Sequence, residues 1–272
     1  MPGRPAHPYF DVPTPVVIGH RGAAGTHPEN TLASFEAALA QGAQILESDI
    51  QVTRDGVPVL LHDPDVGRVT EASVLASELD WRDLRALDAG HHFEDADGDF
   101  PERGTGHRIP SLEEAFERFP MARFNLEIKC LDEGAIRATL DLVTRFDREE
   151  RTLLAAGEDD VMIALRRALA EHAARPALGA SVSEIVAAVG SALGQGDMPK
   201  DVMALQIPAE FSGQPLATRE FVDHAHAHDV AVHVWTINDL DEIEALLDRG
   251  VDGIVTDLPG RMSDWLKRRG DG

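Results

Sequence analysis

The feature that most constrains this chain is a repeated alternation of short β-rich runs with helical patterns from Val16 onward. Strand-like runs fall at Val16–Gly22, Ile45–Thr53, Val57–Asp63, Arg123–Cys130, Thr152–Ala156, Ala177–Ser181, Val202–Pro208, Val230–Thr236 and Val251–Asp257. Helical patterns occupy Thr31–Ala40, Ser111–Phe119, Glu133–Phe146, Asp159–His172, Ser183–Leu193, Thr218–His228 and Leu240–Leu247. Ser111 and Glu114 form the signature of a capping box at the start of the second. Such β–α order implies parallel strands joined by right-handed crossovers. The 272 residues suit a single (β/α)8 TIM barrel, which commonly takes about 250.

Nine strand-like runs fit eight barrel positions if Ile45–Thr53 and Val57–Asp63 form a hairpin, with the second arm an extension of the sheet. Asp55-Gly56 is a strong two-residue turn signal. That turn pairs Arg54 with Val57, Gln51 with Leu60 and Asp49 with His62. An open doubly wound sheet is the competing fold. It is disfavoured because Gly19, Gly22 and Gly25 lack the G-x-G-x-x-G spacing of a dinucleotide site. Residues 1–14 are proline-rich and read as a flexible tail without the basic-then-apolar pattern of a signal peptide. Pro64–Pro110 interrupts the alternation after the second barrel strand. It reads as an insertion over the active site, with a short helix after Asp80, ending near Gly90, and a mobile polar loop at Glu94–Gly106.

Acids outnumber bases 48 to 25, for a net charge of −23. That field opposes nucleic acid and anionic membranes. It also opposes an anionic substrate, so any phosphate site needs local positive charge. The lone Cys130 excludes an internal disulfide and a CxxC metal box, and no apolar run approaches membrane-spanning length. The expected setting is cytoplasmic, without stable membrane association; homo-oligomerisation stays open.

Polar residues that a barrel core should reject recur at the strand ends, where this fold gathers its chemistry. His20-Arg21 closes the first strand; Glu47 and Asp49, two apart on one face, sit in the second; His62-Asp63 ends the hairpin arm; Glu127 and Lys129 end the next barrel strand. Gln206, Trp235 and Asp257 end later ones. Glu47, Asp49 and Glu127 make an all-oxygen ligand set suited to Mg²⁺ or Ca²⁺. Adjacent inward acids repel each other unless a cation lies among them. Arg21 and Lys129 can hold phosphate oxygens, and His20 and His62 titrate where a general acid and base must. His224 and His228, at i, i+4, read as a solvated helix face without a third ligand, and His91-His92 as exposed. Cys130 reads as a packed thiol.

The order His20-Arg21-Gly22, Pro28-Glu29-Asn30-Thr31, Glu47-x-Asp49, Asp55-Gly56, His62-Asp63, Ile109-Pro110-Ser111-Leu112-Glu113-Glu114, Asn125-Leu126-Glu127-Ile128-Lys129, Trp235-Thr236-Ile237-Asn238 and Gly250–Asp257 resembles the glycerophosphodiester phosphodiesterases. The resemblance runs from about Val16 to Pro259. It implies a divalent-metal barrel hydrolase acting on a small glycerophosphodiester, releasing glycerol 3-phosphate and an alcohol. Glu47, Asp49 and Glu127 match its metal ligands, His20 and His62 its acid–base pair, and Arg21 and Lys129 its phosphate-holding residues. Trp235 matches a wall for the glycerol or alcohol group. Pro64–Pro110 corresponds to the family insertion, with Arg68 and Thr70 in its early pattern. Val69, Cys130 and Leu258 depart from the common pattern without touching a proposed ligand. Two rival readings share the scaffold: a lysophospholipase D-like enzyme, which would want an apolar mouth on the insertion, and a non-catalytic polyol-phosphate binding protein.

Overall fold

The computed structural model describes residues 3–270. Strand β1 (Val16–Gly19) leads to helix α1 (Leu32–Ala40), β2 (Ile45–Val52) and β3 (Pro58–Leu60). The insertion follows, with α2 (Trp81–Leu84), and then α3 (Leu112–Arg118), β4 (Arg123–Ile128), α4 (Glu133–Arg145), β5 (Thr152–Ala155), α5 (Asp159–Glu171), β6 (Ala177–Leu178) and α6 (Val182–Ala192). Strand β7 (Ala204–Pro208), a small hairpin of β8 (Glu210–Phe211) and β9 (Gln214–Pro215), α7 (Arg219–Ala227), β10 (Ala231–Trp235), α8 (Leu240–Asp248), β11 (Gly253–Thr256) and α9 (Pro259–Gly270) complete the chain. The β8–β9 hairpin and α9 escaped the sequence reading. The hairpin arms have two residues each, and α9 inserts only a narrow face led by Met262.

Eight parallel strands run around the sheet in the order β6-β5-β4-β2-β1-β11-β10-β7. A parallel bridge from Gly179 to Ala204 joins its two ends, with the Met203 amide donating to the Leu178 carbonyl at 2.9 Å. The sheet therefore curls into the expected barrel. Its strands are apolar on both faces because one side packs on helices and the other on the barrel interior. No helix among the described residues is long and apolar enough to cross a membrane.

The N-terminal segment corrects the flexible-tail expectation. Tyr9 and Phe10 are buried in the barrel interior with Ile18, Ile45, Leu153, Ala155, Ala177, Ala204, Ala231 and Val255. Four of those strand residues are alanines, so the interior has room that two aromatic rings fill. Arg123 ties the segment down by donating to the carbonyls of Tyr9 at 3.1 Å and of Pro8 and Asp11 at 3.3 Å. Met1 and Pro2 lie outside the described residues.

The β2–β3 hairpin forms, but with a register one residue from expectation. Ile50 faces Leu60 and Gln51 faces Val59, so the loop has three residues, Arg54–Gly56. The Gly56 amide donates to the Thr53 carbonyl at 3.0 Å, and Gly56 sits at φ +84°, the left-handed position such a loop requires. The Thr53 hydroxyl accepts the Val57 amide at 2.9 Å, and the Arg54 amide donates to the Leu79 carbonyl of the insertion at 2.9 Å. These bonds select the longer loop. Asp49 consequently lies beside Leu61, whose amide donates to its carbonyl at 3.0 Å.

The insertion packs on a small core of its own around Val66, Ala76, Leu84 and Ala89, sharing Val59, Leu61 and Ile109 with its roots. Its helix is one turn, and Asp80 stands at the N-cap position without a capping bond, its carboxylate instead pairing with Arg54. Glu94–Gly106 forms hydrogen-bonded turns: Asp95 accepts the amides of Asp97 and Asp99, and Asp88 accepts that of Gly104.

If Phe10 is a core residue, Phe10→Ala should cost about 3–5 kcal/mol in denaturant unfolding. A tail residue would change stability by less than about 0.5 kcal/mol.

Candidate active site

The first βα turn shows how local backbone builds the site. After β1, the His20 amide donates to the Thr256 carbonyl at 2.9 Å, which keeps the strand edge paired. Arg21 then adopts φ +49°, turning its amide onto Glu47 Oε2 at 3.0 Å. Gly22 follows at φ +89°, so close to Ser34 that a Cβ would meet its Oγ at 2.4 Å. Only glycine fits there.

The strand ends enclose a cavity of about 400 Å³. His20, Arg21, Glu47, Asp49, His62, Glu127, Lys129 and Trp235 all line it, with Asn125 and Gln206 among their neighbours. His62 arrives despite the shifted register because β3 stops at Leu60 and the chain bends away from strand pairing; Gln51 Nε2 donates to the His62 carbonyl at 2.9 Å. Opposition to Asp49 within a ladder, the expected route, is not how the histidine gets there. None of residues 64–110 lines this cavity, so the insertion is not its roof.

Both histidines are oriented by carboxylates. His20 Nδ1 lies 2.6 Å from Asp257 Oδ1, and Asp257 Oδ2 accepts from Asn238 Nδ2 at 2.6 Å. His62 Nδ1 lies 2.7 Å from Asp63 Oδ1. In each case the carboxylate engages Nδ1 and not Nε2. Burial opposes charge on His20, but the Asp257 hydrogen bond and the nearby Glu47 outweigh it and raise its pKa. Behind His62 a chain of ion pairs runs inward. Asp63 binds Arg68, Arg68 grips both oxygens of Glu29 at 2.6 and 2.8 Å, and Glu29 accepts from Arg21 at 2.9 Å. Arg21 Nε ends the chain 3.3 Å from Asp49 Oδ2.

The roles of Asp257, Asn238, Glu29, Arg68 and Asn30 were not read from the sequence. Asn30 donates to Asp49 Oδ2 at 3.3 Å and accepts from Ser48 at 2.7 Å. All five belong to the motifs or early insertion pattern quoted above; what the motifs lack is any sign of who bonds whom. Of the histidines set aside, His224 is held by Ser191 at 3.0 Å, and His228 by the His224 carbonyl at 2.9 Å. Burial pushes the Cys130 thiol up to about 11, consistent with a packed, unreactive group.

The site's electrostatics bear on a cation. Burial, then the neighbouring Asp49 charge, pushes Glu47 up to about 7. The Asn125 side-chain carbonyl oxygen is buried in the same wall without a partner. Lys129 Nζ stands 2.8 Å from Glu127 Oε2 and 3.4 Å from Asp49 Oδ1. Among the described residues no three of His, Cys, Asp and Glu converge as a ready-made ligand cluster. The donor set nonetheless fits a hard cation: oxygen ligands, an orphaned carbonyl, and a carboxyl whose ionisation burial and Asp49 oppose more than His20 and Arg21 favour it.

Residues 20–261 match the glycerophosphoryl diester phosphodiesterase family. The chain belongs to that family. A probable glycerophosphodiester phosphodiesterase 2 of Mycobacterium tuberculosis is 31% identical over 259 residues, covering 94% of this chain and 92% of the relative. A human lysophospholipase D is 27% identical, covering 92% and 85%. Among solved structures, an Oleispira antarctica phosphodiesterase in complex with sn-glycerol-3-phosphate superposes with a TM-score of 0.78 at 28% identity, covering 96% and 99%. The family enzyme domain of a second Mycobacterium tuberculosis protein, at 21% identity and a TM-score of 0.81, supports the barrel fold.

The Glu47 environment generates a stability test. Its folded pKa is raised, so its ionisation destabilises the metal-free protein as pH climbs through about 7, whereas below about 4.5 the group is neutral in both states. Glu47→Gln should therefore raise the melting temperature in chelator at pH 8 and change it little at pH 5. Equal effects at both pH values would contradict this assignment.

Proposed function

We propose that this chain hydrolyses glycerophosphodiesters to glycerol 3-phosphate and an alcohol, with a divalent cation, Mg²⁺ or Ca²⁺, held by Glu47, Asp49 and Glu127. The observation that carries the reading is two histidines, each aligned at Nδ1 by an aspartate, lining one cavity with a guanidinium, an ammonium and three carboxylates. Binding alone would need neither aligned imidazole. A bound divalent ion supplies charge that offsets the phosphate and polarises its oxygens. Arg21, locked between Glu29 and Asp49, presents its guanidinium to a non-bridging oxygen, and Lys129 presents a point charge to another. One imidazole takes a proton from the attacking water at Nε2. The other delivers one to the departing alkoxide as the P–O bond breaks. Trp235 walls the organic end of the substrate.

His20→Ala and His62→Ala should each lower kcat by roughly 10² to 10⁴ on a substrate with a poor leaving group, and excess chelator should abolish turnover. Near-normal turnover in either variant would make that histidine structural, and full activity in chelator would remove the metal.

A second reading, in which a lysophospholipid is also accepted, is favoured by one observation. Leu131, Val182, Val186, Phe211 and Trp235 are between 45% and 63% exposed, and all follow or end barrel strands β4, β6, β7 and β10. Val182, Ile185 and Trp235 line the cavity itself. Apart from Leu131, which follows β4 next to β2, these residues lie across the barrel from the insertion. Val186→Asp should raise KM for a lysophospholipid roughly tenfold and leave a short-headgroup glycerophosphodiester unaffected. Equal effects on both substrates would dismiss the reading.

A further inference from the structure

A second cavity, of about 660 Å³, lies on the outer wall of the barrel between α1, the insertion and α3. It shares no lining residue with the catalytic cavity. Its floor and sides are apolar at Leu32, Ala33, Trp81, Ala86 and Pro110, while Arg82, Arg85 and Arg108 supply its positive charge.

In a chain of net charge −23, a cleft lined by three arginines and a single carboxylate is an inversion of the local field. That carboxylate, Glu114, is already committed: it pairs with Arg85 at 2.7 Å and accepts the Ser111 amide at 3.1 Å in the capping box. His107 is committed to Glu102 at 2.7 Å. Arg82 and Arg108 make no ion pair among the described residues, and Arg108 has only a carbonyl bond to its neighbour His107 at 2.8 Å. The Arg85 guanidinium stands 5.9 Å from the Trp81 ring centroid, extending a cationic rim over an aromatic wall.

We propose that this cleft binds a phosphate group, free or as a monoester, with Arg82 and Arg108 on its oxygens. Guanidinium forks match phosphate oxygens, and two unpaired ones gain more from an anion than from water. The apolar wall beside them would receive an attached chain where the ligand has one. The site is independent of the hydrolytic reading, since none of its residues belongs to the catalytic machinery.

The chain has three tryptophans, Trp81, Trp235 and Trp265, so Trp235→Phe with Trp265→Phe leaves Trp81 as the sole reporter in the cleft. Titration of that protein with inorganic phosphate and with monomeric octyl phosphate should give saturable changes in Trp81 emission. Adding Arg82→Gln and Arg108→Gln should weaken both by roughly tenfold or more, with circular dichroism unchanged. Tighter binding of octyl phosphate identifies a lipid-type source, and equal binding identifies free phosphate; either supports the site. Calorimetry of octyl phosphate on the otherwise native chain, with and without the two arginine substitutions, gives a second measurement free of the tryptophan changes. Absence of an emission response to both ligands, or affinities unmoved by the arginine substitutions, would overturn the proposal.

Discussion

The structure depends on keeping acidic groups together at the barrel mouth. Glu47 and Asp49 are two apart on one strand and both buried, so their charges compete in a region of weak screening. Arg21 answers them from β1 with its backbone amide on Glu47 and its guanidinium beside Asp49. Lys129 answers from β4, between Asp49 and Glu127. Three adjacent strands, β1, β2 and β4, are therefore held in relation by charge as well as by hydrogen-bond ladders. Burial, and then the Asp49 charge, make the Glu47 carboxyl resist ionisation despite His20 and Arg21 beside it.

The opposite end of the barrel is governed by volume. Alanines at 155, 177, 204 and 231 make a narrow interior with space left over, and Tyr9 and Phe10 fill it from below. This could not be read from residues 1–14 alone, because their proline content suggests a tail equally well. The deciding fact is the small size of residues more than a hundred positions away. Tyr9 and Phe10 thus pack among the interior strand residues Ile18, Ile45 and Val255 without entering the lining of the charged cavity.

What the sequence made legible follows the same division. Buried parallel strands write themselves as apolar runs, so most barrel strands could be located to within a few residues. Polar residues interrupting those runs at their ends marked the eight side chains that line one cavity. Bond partners were illegible: His20 and Asp257 are 237 positions apart, and nothing in either motif names the other. The hairpin failed for a local reason, because Asp55-Gly56 serves a two-residue and a three-residue loop equally. The Thr53 hydroxyl and the Leu79 carbonyl chose between them.

The two histidines also differ in what supports them, and this gives the insertion a role without making it a roof. His20 is fixed by Asp257 and Asn238, both just beyond strands of the barrel, and so by the rigid scaffold. His62 is fixed by Asp63, its neighbour in sequence, whose second oxygen is held by Arg68 of the insertion. Arg68 in turn grips Glu29, and Glu29 grips Arg21. Displacing the insertion would loosen the His62 imidazole and the Arg21 guanidinium together while leaving His20 in place. A segment that lines none of the cavity can thus set the geometry around His62 and Arg21, because ion pairs carry the constraint inward where direct contact does not.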